Sequence, residues 1–214
     1  MNRIKMEELF VKICGITILD DVLSAVEHGA DAVGFNFYRQ SKRYITPDSA
    51  AEIAEKLPAG VLRVGVFVNA RRDEVDTAIL RSGINGIQFS GDERPEDVLG
   101  YHLPVMKAIH ISGKESIGEM KTYRAHRYLL DTFHSENYGG TGMPFDWSIA
   151  IHAKQFGAII IAGGLTPENV ADAVRMVKPH GVDVSSGVEL RPGIKDRKKM
   201  GEFILRAREA HTSK

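Results

Sequence analysis

Eight short apolar runs alternate with amphipathic stretches along the whole chain, and that alternation constrains the fold more than any other feature of the sequence. The runs are LFVKIC (9–14), DAVGFNF (31–37), LRVGVFV (62–68), GIQFS (86–90), VMKAIH (105–110), RYLLD (127–131), AIIIAG (158–163) and GVDVSS (181–186). Between them, LDDVLSAVEHG, PDSAAEIAEKL, RRDEVDTAILRSG, PENVADAVRMVK and KDRKKMGEFILRAREA repeat apolar residues three and four apart, the spacing of one helix face. Near-continuous apolar strands that alternate with helices describe a parallel sheet buried on both sides. Eight strand–helix units predict an α/β fold, a single-domain (β/α)8 or TIM barrel over residues 1–214, with residues 1–8 as an N-terminal extension. A doubly wound open sheet is the alternative, but it usually has fewer strands and exposes edges that nothing here protects.

Local signals support the units. Thr46-Pro47 and Thr166-Pro167 each place a capping hydroxyl before a proline at the first helical position, and Gly29 and Gly83 close helices before the next strand. The fourth unit is the weakest, with RPEDVLG as a short helix. The longest non-periodic stretch, TFHSENYGGTGMPFD (132–146), is long enough for a compact domain that a functional loop is expected there.

Composition excludes several classes of partner. Lys plus Arg equals Asp plus Glu at 28 each, so no overall charge draws the chain to nucleic acid or to an anionic membrane. Acidic Glu7 and Glu8 stand where a signal peptide would be apolar, and no apolar run reaches spanning length. A cytoplasmic protein is expected. A single cysteine makes no internal disulfide, and the eight scattered histidines form no helical ligand pair, so no metal is expected. Monomer and homodimer stay equally open.

In such a barrel the active site lies at the C-terminal strand ends. That rule selects Cys14, Arg43, Gln88, Asp131, the loop GGTG with Gly140 and Gly142, AGGL with Gly163 and Gly164, and DVSSGVE with Asp183, Ser185, Ser186 and Gly187. Glycine-rich loops after strands seven and eight let backbone N–H groups approach a phosphate. Asp131 and Asp183 end or interrupt apolar strands, where a carboxylate needs hydrogen bonds or a proton, and the residues alone do not say which transfers it. Cys14 shares strand parity with Lys12, which argues that this side of the strand is polar. A lone cysteine is nevertheless more often packing than chemistry. Arg43, in SKRY, supplies a positive charge for a thiolate or a fork for a carboxylate.

VKICGIT, DAVGFNFY…SKRYI, VGVFVN, IQFSGDE, LLDT, GGTG…FDW, AGGLTPENV and GVDVSSGVE…PGIKD, in this order and spacing, resemble the phosphoribosylanthranilate isomerase family over residues 9 to 208. The resemblance implies an Amadori rearrangement of N-(5-phosphoribosyl)anthranilate to the carboxyphenylamino-deoxyribulose phosphate, a step of tryptophan biosynthesis, without a cofactor. It implies Cys14 as general base, Asp131 as general acid and Arg43 as the contact to the anthranilate carboxylate. Gln88, Ser90 and Asp183 are the further candidate substrate contacts. One departure concerns Ser90, which stands where the family commonly has histidine in QLHGDE. Two other readings keep the fold: another sugar-phosphate isomerase or epimerase, and a non-catalytic barrel that binds a phosphorylated ligand.

Overall fold

The computed structural model describes residues 8–132 and 145–213. Among these, eight parallel strands close into a barrel in chain order: β1 (Phe10–Cys14), β2 (Ala32–Asn36), β3 (Leu62–Phe67), β4 (Gly86–Phe89), β5 (Val105–Ile111), β6 (Arg127–Thr132), β7 (Ile159–Ile161) and β8 (Gly181–Val184). All eight predicted runs become strands, and the ring closes where Lys12 of β1 pairs in register with Asp183 of β8.

Side-chain alternation divides each strand between two cores. Val11, Ile13, Val33, Phe35, Ile87 and Phe89 point outward into the layer beneath the helices. Ala32, Val64, Met106, Ala108, Leu129 and Ile160 fill the barrel interior. Burial on both faces is why the strands read as continuous apolar runs.

The outer layer contains α1 (Leu19–Glu27), α2 (Pro47–Ala54), α3 (Arg72–Ser82), α4 (Ser148–Ala153), α5 (Val170–Val177) and α6 (Arg197–Thr212). Thr46 caps α2 as expected, its hydroxyl accepting the Ser49 N–H at 3.1 Å, an interaction worth about 1 kcal/mol. At Thr166 the hydroxyl accepts the Glu168 N–H at 3.2 Å and the carbonyl accepts the Val170 N–H at 3.1 Å, as expected of a cap, while Asn169 Oδ1 accepts the Thr166 N–H. A turn over 167–169 precedes the regular helix α5, which begins at Val170. The short helix expected in RPEDVLG after β4 is a 3-10 helix over Pro95–Val98, and β5 is likewise followed by a 3-10 helix, over Lys114–Lys121. In the second, the Ser116 hydroxyl accepts N–H groups of Ser112 and Gly113, a local alternative to helical bonding. No helix among the described residues is long and apolar enough to cross a membrane.

Beyond β8 the chain makes an addition that apolar periodicity does not announce. A 3-10 turn over Ser186–Val188 leads into a small antiparallel hairpin, β9 (Glu189–Arg191) with β10 (Ile194–Lys195). Asp196 then caps α6 by accepting the Lys199 N–H at 3.1 Å.

Candidate active site

At the C-terminal end of the barrel the inward positions change from apolar to polar. On β5 the inward series runs Met106, Ala108, His110, and on β6 it runs Leu129, Asp131. Cys14, Asp131 and Asp183 at the tips of β1, β6 and β8 face one cavity of about 700 Å³. Gln88 and Ser90 from β4 and its following residue line it too, as do Arg43 from the β2–α2 loop and Ser185 and Ser186 after β8. The structure therefore brings together the acid, base and carboxylate candidates with the serines of the eighth loop.

The glycine candidates are placed differently. Gly163 and Gly164 both have positive φ, at 72° and 65°, and Gly163 packs against Asp131 and the Thr132 backbone. Gly187 sits so near Leu165 that a Cβ there would overlap the Leu165 carbonyl oxygen. None of the three lines the cavity wall. Their bareness lets the seventh and eighth loops lie against each other and against β6, which brings those backbones to the mouth. Gly140 and Gly142 lie outside the described residues.

Lys12 corrects the reading of strand parity. It does share the inward side with Cys14, but that side is barrel interior: Lys12 is fully buried, and its Nζ donates to Asp183 Oδ1 at 2.8 Å. Burial would strip the Lys12 proton, yet the Asp183 carboxylate and the Cys14 sulfur outweigh it and leave the ammonium held above its ordinary range. Burial pushes the Cys14 thiol up, against the opposing pull of Lys12 and of Lys195. Burial thus disfavours the thiolate, and the Lys12 and Lys195 amines beside it favour it.

Arg43 is held by a partner the sequence did not single out. Its Nε and Nη2 donate to the two carboxylate oxygens of Glu189 at 2.8 and 2.7 Å, a bidentate pair that joins the β2–α2 loop to the hairpin. Nη1 takes no part in that pair. Lys195 Nζ reaches the same carboxylate at 2.9 Å and the Ser185 carbonyl at 3.1 Å. Burial alone would raise the Glu189 carboxyl, but the bonds from Arg43 and the charge of Lys195 depress it below its ordinary value. Burial lowers Lys195 despite that carboxylate. With Lys42 and Arg191 also lining the mouth, the cavity suits an anionic ligand.

Sequence reasoning missed Glu189, Lys195 and His110. His110 was accessible to the strand-end rule, since it is the last residue of its apolar run and shares parity with Met106 and Ala108. Glu189 closes the selected DVSSGVE stretch, but nothing local marks it as the partner of Arg43, and Lys195 gave no comparable signal, because their partners lie in distant or irregular segments.

Residues 11–206 match a family model described as N-(5'phosphoribosyl)anthranilate (PRA) isomerase. The chain is 48% identical over 198 residues to N-(5'-phosphoribosyl)anthranilate isomerase of Geotalea uraniireducens, covering 92% of this chain and 98% of that one. The solved phosphoribosyl anthranilate isomerase from Thermotoga maritima superposes with a TM-score of 0.89 at 43% identity, covering 94% of this chain and 99% of that one. A phosphoribosyl anthranilate isomerase in complex with reduced 1-(o-carboxyphenylamino)-1-deoxyribulose 5-phosphate superposes with a TM-score of 0.85 at 41% identity, with 94% and 99% covered. The chain belongs to the N-(5'-phosphoribosyl)anthranilate isomerase family.

Proposed function

We propose that the protein isomerises N-(5'-phosphoribosyl)anthranilate to 1-(o-carboxyphenylamino)-1-deoxyribulose 5-phosphate, with Asp131 as proton donor and Cys14 as proton acceptor. The observation that carries the reading is that both side chains face the cavity that Arg43 also lines, and that this chain is a member of the isomerase family. Asp131 gives a proton to the ring oxygen as the C1–O bond breaks, and the nitrogen lone pair closes a C1=N bond. Cys14, as thiolate, removes the proton from C2, and its electrons form the C1–C2 double bond of an enaminol. Return of a proton to C1 and loss of one from the 2-hydroxyl give the ketose. The positive nitrogen of the ring-opened intermediate adds to Lys12 and Lys195 in favouring the thiolate.

Arg43 offers the remaining edge of its guanidinium to the anthranilate carboxylate, and Ser185 and Ser186 with the seventh and eighth loops receive the phosphate. Asp183 acts on this reading chiefly through Lys12, as the counter-charge that keeps the ammonium beside the thiol. The test is to mix purified protein with freshly generated phosphoribosylanthranilate and follow loss of anthranilate-type fluorescence. Enzyme-dependent decay is expected; decay no faster than without protein would sink the reading.

A further inference from the structure

The β4–β5 side of the cavity carries a polar chain that the acid–base pair does not use. His110 Nε2 lies 3.0 Å from the Ser90 carbonyl oxygen, and since a carbonyl only accepts, Nε2 carries the hydrogen. Ser90 Oγ accepts the Gln88 Nε2–H at 2.9 Å. That bond places the Gln88 amide nitrogen on the Ser90 side. It leaves Gln88 Oε1 buried with no hydrogen-bond partner, on a side chain that lines the cavity and belongs to a residue only 4% exposed.

A buried acceptor without a donor is costly, and a ligand that brings a donor recovers that cost. The register neighbours of Gln88 are Val66 on β3 and Met106 on β5, whose side chains bring no donor. We propose that Gln88 Oε1 accepts a hydrogen bond from a hydroxyl of the substrate's sugar chain, and that His110 is the positioning residue that holds Gln88 in this orientation through Ser90. The ligand class follows from what the rest of the cavity takes. Arg43 suits a carboxylate and Ser185 and Ser186 suit a phosphate, so the hydroxylated part of the ligand is what is left for the β4 wall of the same cavity. The imidazole in this wall comes from β5, while residue 90 on the β4 side contributes a hydroxyl and a carbonyl.

The assignment rests on the isomerase reading, and the test separates the two. Binding of reduced 1-(o-carboxyphenylamino)-1-deoxyribulose 5-phosphate is measured by fluorescence titration alongside steady-state kinetics with phosphoribosylanthranilate. Gln88→Leu and His110→Ala are each expected to weaken analogue binding and raise KM about tenfold, with kcat changing less. Gln88→Leu should melt close to the wild type, since removal of the unpartnered oxygen offsets loss of the bond to Ser90 Oγ. Because His110 acts through Gln88, the double variant should bind no more weakly than Gln88→Leu alone. His110→Gln, whose amide N–H still reaches toward the Ser90 carbonyl, should recover most of the loss. Unchanged binding in either single variant, or additive losses in the double variant, overturns the assignment. If the wild type bound the analogue with this mutational pattern yet failed to turn over substrate, the isomerase reading would fall and the hydroxyl subsite would stand.

Discussion

Lys12 Nζ and Asp183 Oδ1 form a 2.8 Å ion pair inside the barrel, across the β1–β8 seam and two residues before the cysteine on the same inward face. The pair links closure of the fold to the chemistry at its mouth. Removing Lys12 alone leaves a buried carboxylate without its cation. Lys12→Met is expected to cost about 3–5 kcal/mol in urea unfolding, and Lys12→Met with Asp183→Leu to recover most of that.

The same pair tunes the thiol. Lys12 opposes the burial that raises Cys14 more strongly than Asp183 reinforces it. Replacing both by Lys12→Met and Asp183→Asn should therefore move the midpoint of iodoacetamide alkylation of Cys14 to higher pH. A midpoint that moved lower would mean that Lys12 does not favour the thiolate.

Asp131→Asn and Cys14→Ala each remove one proton-transfer group while leaving the phosphate loops in place. Each is expected to lower kcat by about 10²–10⁴-fold, the usual worth of a positioned acid or base. Inorganic phosphate should bind both as it binds the wild type. Near wild-type kcat in either variant would show that another group carries that step.

Glu189 has a carboxyl depressed below its ordinary value of 4.5 by Arg43 and Lys195, against burial that alone would raise it. A depressed folded-state carboxyl adds stability that is present above the unfolded value and lost as pH falls through the folded one. Wild type should exceed Glu189→Gln by about 1.5–3 kcal/mol near neutral pH, the range for hydrogen bonds to charged groups. The difference should shrink below pH 4.5 as the folded carboxyl protonates. Denaturant unfolding of both proteins across that range measures it, and a constant difference would mean that the charge of Glu189 does not matter.

Gly187 lies against the Leu165 carbonyl with no room for a methyl group. Gly187→Ala must displace the seventh or the eighth loop, at roughly 1–3 kcal/mol for an overpacked site. A lower melting temperature together with weaker inorganic phosphate binding is expected. Unaltered phosphate affinity would separate this contact from the anion site.

The sequence by itself determined the eight strands and the residues at their tips, because both-face burial writes apolar runs and alternation assigns inward positions locally. Cys14, Gln88, Asp131 and Asp183 were legible for that reason, and His110 obeys the same parity. Only the tertiary structure decided what surrounds them. Lys12 read as the mark of a polar face and proved to be a buried cation whose partner is 171 residues away. Arg43 read as a charge for the thiolate or a fork for a carboxylate, and the structure clamps it to Glu189, 146 residues on. Periodicity records which side of an element is buried, whereas charge pairing depends on which strands meet when the barrel closes.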